Sequence, residues 1–247
     1  VHDEVRVAAR LVAWTNVWLT GSVNLDEVVR VLTEATPTTS LDALGLARPV
    51  PDWLVMLQDH GTRRLALLLP APGDVRGMPV GCAFADEVLQ EGLGVQAVGA
   101  DLGISVEHRR VGNDIEGWTS TWVWSLASCP GAPGPLPEVA EAAQILAGAV
   151  HDATRELARL ELVPRTSRPQ DPVGIPLRLP PDVPRRVAAL LERAERMAEA
   201  LELALSAPSG ARTGFEEHSR SEALRRVADA VRLARLVGWN SVVPELL

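Results

Sequence analysis

Lysine and tyrosine are both absent from this 247-residue chain, so arginine supplies every permanent positive side-chain charge. A Schiff-base lysine, a phosphate-loop lysine, the nucleotide-binding lysine of kinases and a tyrosine nucleophile or general acid are thereby excluded from its own chemistry. Cysteine is nearly as scarce. Cys82 and Cys129 are too few and too distant in sequence for a disulfide framework or a metal-ligand pair, and they read as small buried side chains, with a reactive thiol as the other reading. His2, His60, His108, His151 and His218 are scattered, with no pair at the H-E-x-x-H spacing of a zinc site. The G-x-G-x-x-G, G-x-x-x-x-G-K-[ST] and G-x-S-x-G patterns do not occur. No metal and no cofactor is expected.

Long apolar runs are missing too. A strongly apolar stretch such as Leu65 to Leu69 falls far short of the roughly 20 residues that cross a bilayer. The opening His2, Asp3 and Glu4 lack the basic segment and apolar stretch of a secretory signal, so a soluble, cytoplasmic chain without a membrane partner is expected.

What the chain does have is apolar bulk, 47% hydrophobic residues, enough to bury a substantial core. Its formal net charge of −8 repels phosphate backbones and makes nucleic acid an unexpected partner. Arg220, Arg225, Arg226, Arg232 and Arg235 do not change this. Glu222 precedes Arg226 by four residues and Asp229 precedes Arg232 by three, the spacing of ion pairs on a solvated helix face.

Periodicity predicts an α+β protein in two parts. Residues 1–130 read as N-terminal helices with a small mixed sheet of about four strands, and 131–247 as an antiparallel bundle of three long helices. Val5, Ala8, Ala9, Val12 and Asn16 recur at helical spacing, and Asn24 with Glu27 marks the start of a second helix. A short third helix is expected from Ser40 to Ala47. After Pro51 the segment around Trp53, Leu54 and Leu57 suits a helix, with a strand as the other reading.

Arg64 to Leu69 reads as a buried strand, Phe84 to Gln90 as a helix and Val95 to Val98 as a strand, which together suggest a βαβ crossover. Ile104, Val106 and His108 alternate with polar residues ahead of a turn at Gly112, Asn113 and Asp114. The β-branched and aromatic segment Thr119 to Leu126 follows as the last strand. Proline and glycine from Pro130 to Pro137 mark the boundary. Apolar seams beginning near Val139, Val187 and Leu224 then define the three helices, the last opening on a Ser219–Glu222 capping box. A proline-rich excursion at 163–184 and a mobile loop at 206–218 separate them.

Two places could carry chemistry. The Pro70–Gly81 loop lies between a strand and a helix, where α/β folds tend to place ligands; Asp74 would serve as acid, base or anchor and Arg76 as anion clamp. The other is the turn holding His108, Arg109, Arg110, Asn113, Asp114 and Glu116, although strand alternation separates His108 from Arg109. Trp118, Trp122 and Trp124 offer an aromatic platform, or simply core. The preferred expectation is a non-catalytic binding or protein-interaction protein, engaging a protein partner or a second copy through its helices. A small-molecule-binding enzyme using the Pro70–Gly81 loop is the alternative.

Overall fold

The computed structural model describes residues 2–34, 38–41, 46–79, 81–113, 117–160, 177–206 and 213–243, with side chains described for all except 2–3, 38–41, 108–113 and 117–122. The protein is α+β and divides into two compact units. One holds Val1–Leu136, Leu179–Asp182 and Val242–Leu247; the other holds Pro137–Arg178 and Val183–Ser241.

The first unit opens with α1 (His2–Leu19) and α2 (Leu25–Thr33). Asn24 caps α2 as its spacing predicts, its Oδ1 accepting from the Glu27 N–H at 2.8 Å. Both ends of the Ser40–Ala47 segment are strand instead of helix: Ser40 and Leu41 belong to β1 (Thr38–Leu41) and Ala47 to β2 (Ala47–Arg48), which pair antiparallel, while residues 42–45 lie outside the described residues. A few apolar residues in a short segment fit either period, and here sheet pairing decides the outcome. Beyond them α3 (Val50–Asp59) is helical, with Pro51 in its first turn.

The remaining strands are β3 (Arg64–Leu68), β4 (Gly94–Val98), β5 (Leu102–Asn113) and β6 (Gly117–Ser128), with α4 (Ala83–Glu91) between β3 and β4. The sheet order is β2-β1-β6-β5-β4-β3. The four expected strands form an antiparallel run, and β1 joins β6 in parallel, which makes the whole sheet mixed.

The βαβ expectation requires correction, because β3 and β4 are antiparallel neighbours with Leu68 opposite Gly94. The loop and α4 therefore return the chain to the end of the sheet where β3 stopped, instead of crossing to the other end as a parallel connection would.

Strand alternation gives the sheet two buried faces. Leu68, Gly94, Gly103 and Ala127 share the face covered by α4, where Phe84, Ala85 and Val88 pack with Met78, Cys82 and Cys129. Glycine is required beneath that helix. A Cβ on Gly103 would lie 2.2 Å from the Phe84 ring, and one on Gly94 would lie 2.4 Å from Val88. On the opposite face are Leu65, Leu67, Val95, Ala97, Ile104, Trp124 and Leu126, all buried. Trp124 meets Trp53 of α3 with ring centroids 5.4 Å apart and planes tilted 46°, so this tryptophan belongs to the core.

α1 packs along β3, β4 and β5. Its one polar seam residue, Asn16, has a specific task at the open edge of β3. Its Nδ2 donates to the Leu65 carbonyl at 2.9 Å while its Oδ1 accepts from the Leu65 N–H at 2.6 Å. An amide side chain thus supplies the pairing that a further strand would have given, and no buried edge group at Leu65 is left unpaired.

The second unit contains α5 (Val139–Arg159), α6 (Arg185–Ser206) and α7 (Gly214–Asn240), which pack together. α7 begins earlier than the Ser219–Glu222 expectation. Thr213 and Glu216 form the capping box, with Glu216 N–H on Thr213 Oγ1 and Thr213 N–H on Glu216 Oε2, both at 3.2 Å.

Residues 214–218 are accordingly helical, and most of the 163–184 excursion and residues 207–212 lie outside the described residues. α6 and α7 run antiparallel, since Arg220 reaches the Ala204 carbonyl, Arg235 meets Glu195 and Gly238 abuts Leu191. Buried alanines on both helices and the bare Gly238 let the backbones approach closely.

Candidate functional site

The Pro70–Gly81 loop is built on a tight turn. Ala71 N–H donates to the Asp74 carbonyl at 2.9 Å and Asp74 N–H returns a bond to the Ala71 carbonyl at 2.8 Å, with Gly73 at φ +81° between them. Asp74 and Arg76 hold one another. Arg76 Nε donates to Asp74 Oδ1 at 2.8 Å and Nη2 to Oδ2 at 2.6 Å, a bidentate pair, and the Arg76 backbone N–H adds a third bond at 3.2 Å. Met78 then drops into the core, and its carbonyl accepts from Gly134 N–H at 3.2 Å. Both Asp74 oxygens are thus engaged by the residue expected to clamp an anion. The antiparallel pairing of β3 and β4 also removes the parallel-sheet argument for a ligand at this loop.

His108 sits in β5 opposite Trp122, with Arg109 opposite Thr121, and Asp114 lies outside the described residues. Asp74 follows β3, and β4 lies between β3 and β5 in the sheet order.

A cleft of about 540 Å³ opens beside α4, lined by Phe84, Val88, Leu93 and Val106 together with Glu4, Glu87, Gln90, Glu91, Ser105 and Glu107. Its volume is in the range of ligand sites. Glu87 and Glu91 are four residues apart on α4 and so share one helix face. Ser105 and Glu107 share the α4-covered face of β5 with Gly103. The glycine platform sets the height of α4 above the sheet, and Phe84 and Val88, themselves buried, border the cleft. Four carboxylates line it, and among the described residues the lining holds no arginine.

Sequence reasoning missed this cleft. Its signal was an acidic pair on a short helix that contains no arginine, followed by the polar side of an alternating strand.

The cysteines are the second surprise. Although distant in sequence, Cys82 Sγ and Cys129 Sγ lie 3.0 Å apart, both buried in the core under α4. Burial, with the hydrogen bond to Cys82 and the charges of Cys82 and Asp101 adding to it, pushes the Cys129 thiol up from its ordinary 9.0 to about 12. The unfolded chain gives up this proton near pH 9, so the contribution to stability is fully present below that pH and is lost as the pH rises through 12. The full loss is on the order of 4 kcal/mol. Because the chain has neither lysine nor tyrosine, cysteine is the only side chain that ordinarily titrates in this window. Denaturation midpoints at pH 8, 9, 10 and 11 should fall steadily for the native chain and much less for Cys129→Ala.

No helix among the described residues is long and apolar enough to cross a membrane, and no group of three or more His, Cys, Asp or Glu among them could hold a metal ion.

Fold and site together define an α+β chain with an antiparallel-sheet unit, an acidic cleft beside its covering helix, and a unit of three packed helices. The chain belongs to the Rv1486c-like protein family: its N-terminal domain description matches residues 8–139 and its C-terminal domain description matches residues 140–236. It is similar to "Uncharacterized protein Rv1486c" of Mycobacterium tuberculosis (strain ATCC 25618 / H37Rv), at 28% identity over 93% of this chain and 94% of that protein. "Uncharacterized protein ML1804" of Mycobacterium leprae is 25% identical, over 94% of this chain and 96% of its own length. No solved structure matches the chain.

Proposed function

We propose that the protein is a non-catalytic binding protein whose acidic cleft takes a cationic segment of a protein partner. The observation that carries this reading is the lining itself. Glu87 and Glu91 share one face of α4 and line the cleft with Glu4, Glu107 and the half-buried Leu93, which suits an arginine- or lysine-bearing peptide. The bidentate Asp74–Arg76 pair supports a part for the Pro70–Gly81 loop in holding Met78 and Cys82 in place, in preference to the small-molecule chemistry that its sequence suggests.

Isothermal titration with an octa-arginine peptide tests the proposal. Glu87→Gln/Glu91→Gln should weaken binding at least tenfold, whereas Glu138→Gln/Glu141→Gln, which removes the same charge from exposed positions at the start of α5, should change it less than twofold. Equal weakening by the two pairs would mean that net charge alone attracts the peptide and would overturn the proposal.

A second reading, self-association through helices, is favoured by Leu203 and Leu205 at the end of α6 and Phe215 at the start of α7, which are 46%, 63% and 74% exposed. Light scattering on the native chain and on Leu205→Ser/Phe215→Ser separates the readings. A dimer lost in the variant would support self-association there.

A further inference from the structure

We propose that Cys82 and Cys129 form an oxidation site for small hydroperoxides, cycling between a thiol pair and an intramolecular disulfide. The two sulfurs already lie 3.0 Å apart. A disulfide requires about 2.05 Å, so bond formation asks for an approach of roughly 1 Å.

The partners differ in a way that assigns their roles. Cys82 is 8% exposed and Cys129 is fully enclosed, so an oxidant no larger than hydrogen peroxide meets Cys82 first. Cys82 also stands at the N-cap of α4 and makes no side-chain capping bond there. Cys129 follows β6 and is held by its N–H to the Asp101 carbonyl at 2.8 Å, which keeps its sulfur against Cys82. The raised pKa of Cys129 agrees with this division, because it makes Cys129 a poor first nucleophile.

The chemistry balances. The Cys82 thiolate attacks one peroxide oxygen and breaks the O–O bond; the leaving hydroxide takes up the thiol proton as water, and a sulfenic acid remains on Cys82. Cys129 sulfur then attacks that sulfenic sulfur. The S–S bond forms, the S–O bond breaks, and a second water carries away the hydroxyl with the Cys129 proton. Two thiols are oxidised by two electrons and one peroxide is reduced to two waters. A low-molecular-weight thiol reverses the cycle by exchange.

The disulfide closes a loop between residues 47 apart in sequence, and it should raise the melting temperature by about 10 °C. The test uses the full native chain, reduced and then treated with stoichiometric hydrogen peroxide. After denaturation and alkylation, the expected product has lost 2 Da and taken up no alkyl group. Its digest should contain one linked pair spanning Cys82 and Cys129, dithiothreitol should restore both thiols, and the melting temperature should rise by the amount given. Cys129→Ser should trap the intermediate as a dimedone adduct on Cys82. Two alkylatable thiols after treatment, a disulfide between two chains, or Cys82 carried to the sulfinic acid in the native chain would each overturn the proposal. The native-chain readouts decide it even where Cys129→Ser does not fold.

Discussion

Gly103→Ala is expected to lower the stability of the sheet unit by about 3 kcal/mol, a large cost for one added methyl group. The new Cβ would stand 2.2, 2.4 and 2.5 Å from three atoms of the Phe84 ring. That ring is 1% exposed and packed among Leu68, Met78, Ala85 and Val88, so it cannot swing clear without opening the core. A shorter, flexible side chain at position 84 should relieve the clash. In the cycle of Gly103→Ala, Phe84→Leu and the double variant, urea midpoints should give a favourable coupling of about 1–2 kcal/mol. A Gly103→Ala midpoint equal to that of the native chain would show that α4 does not rest on the sheet at this point, and the shape assigned to the cleft would fall with it.

The second large effect is expected in the helical unit. Glu195 and Arg235 are each only 6% exposed, and Arg235 Nε and Nη2 meet the two Glu195 oxygens at 2.8 and 2.6 Å. Removing one partner leaves the other charge in a place water reaches poorly. Glu195→Ala should therefore cost about 3–5 kcal/mol, against a much smaller loss for the apolar pair Glu195→Leu/Arg235→Leu. If the pair fixes how α6 and α7 align more than it adds net stability, the double variant should lose little, which makes it the informative one. If it is as damaged as Glu195→Ala, the pair contributes more than its own desolvation takes away.

The long helices and the four antiparallel strands were legible because each carries enough periodic apolar residues to choose between periods of 3.6 and 2. Asn24 announced its own capping bond with Glu27. Shorter features were not legible. The short Ser40–Ala47 segment carries too few apolar residues to choose between helix and strand, and the start of α7 depends on Thr213 and Glu216, a box of the same kind as the Ser219–Glu222 spacing further on.

The direction of β4 was also hidden, since a strand, a helix and a strand read alike whether the chain crosses the sheet or returns. That direction governs everything at the site. Leu102 lies opposite Ser128, so the start of β5 and the end of β6 come together, and Cys129 meets a residue that precedes α4. Long-range contacts of this kind have no counterpart in local spacing. The same holds for Asn16, which looks like a flaw in an apolar seam until the edge of β3 is placed beside it. Asp74 and Arg76 looked like free chemistry because sequence alone does not reveal that two neighbouring charges have closed on each other.

The cleft is the centre of the functional account, and hydrogen–deuterium exchange of the native chain with and without octa-arginine peptide tests it most directly. Slowed exchange confined to α4 and the adjoining Gly94–Glu107 segment, abolished in Glu87→Gln/Glu91→Gln, is the predicted result. Protection spread evenly over the exposed acidic helices, or falling elsewhere and leaving α4 unchanged, would contradict it.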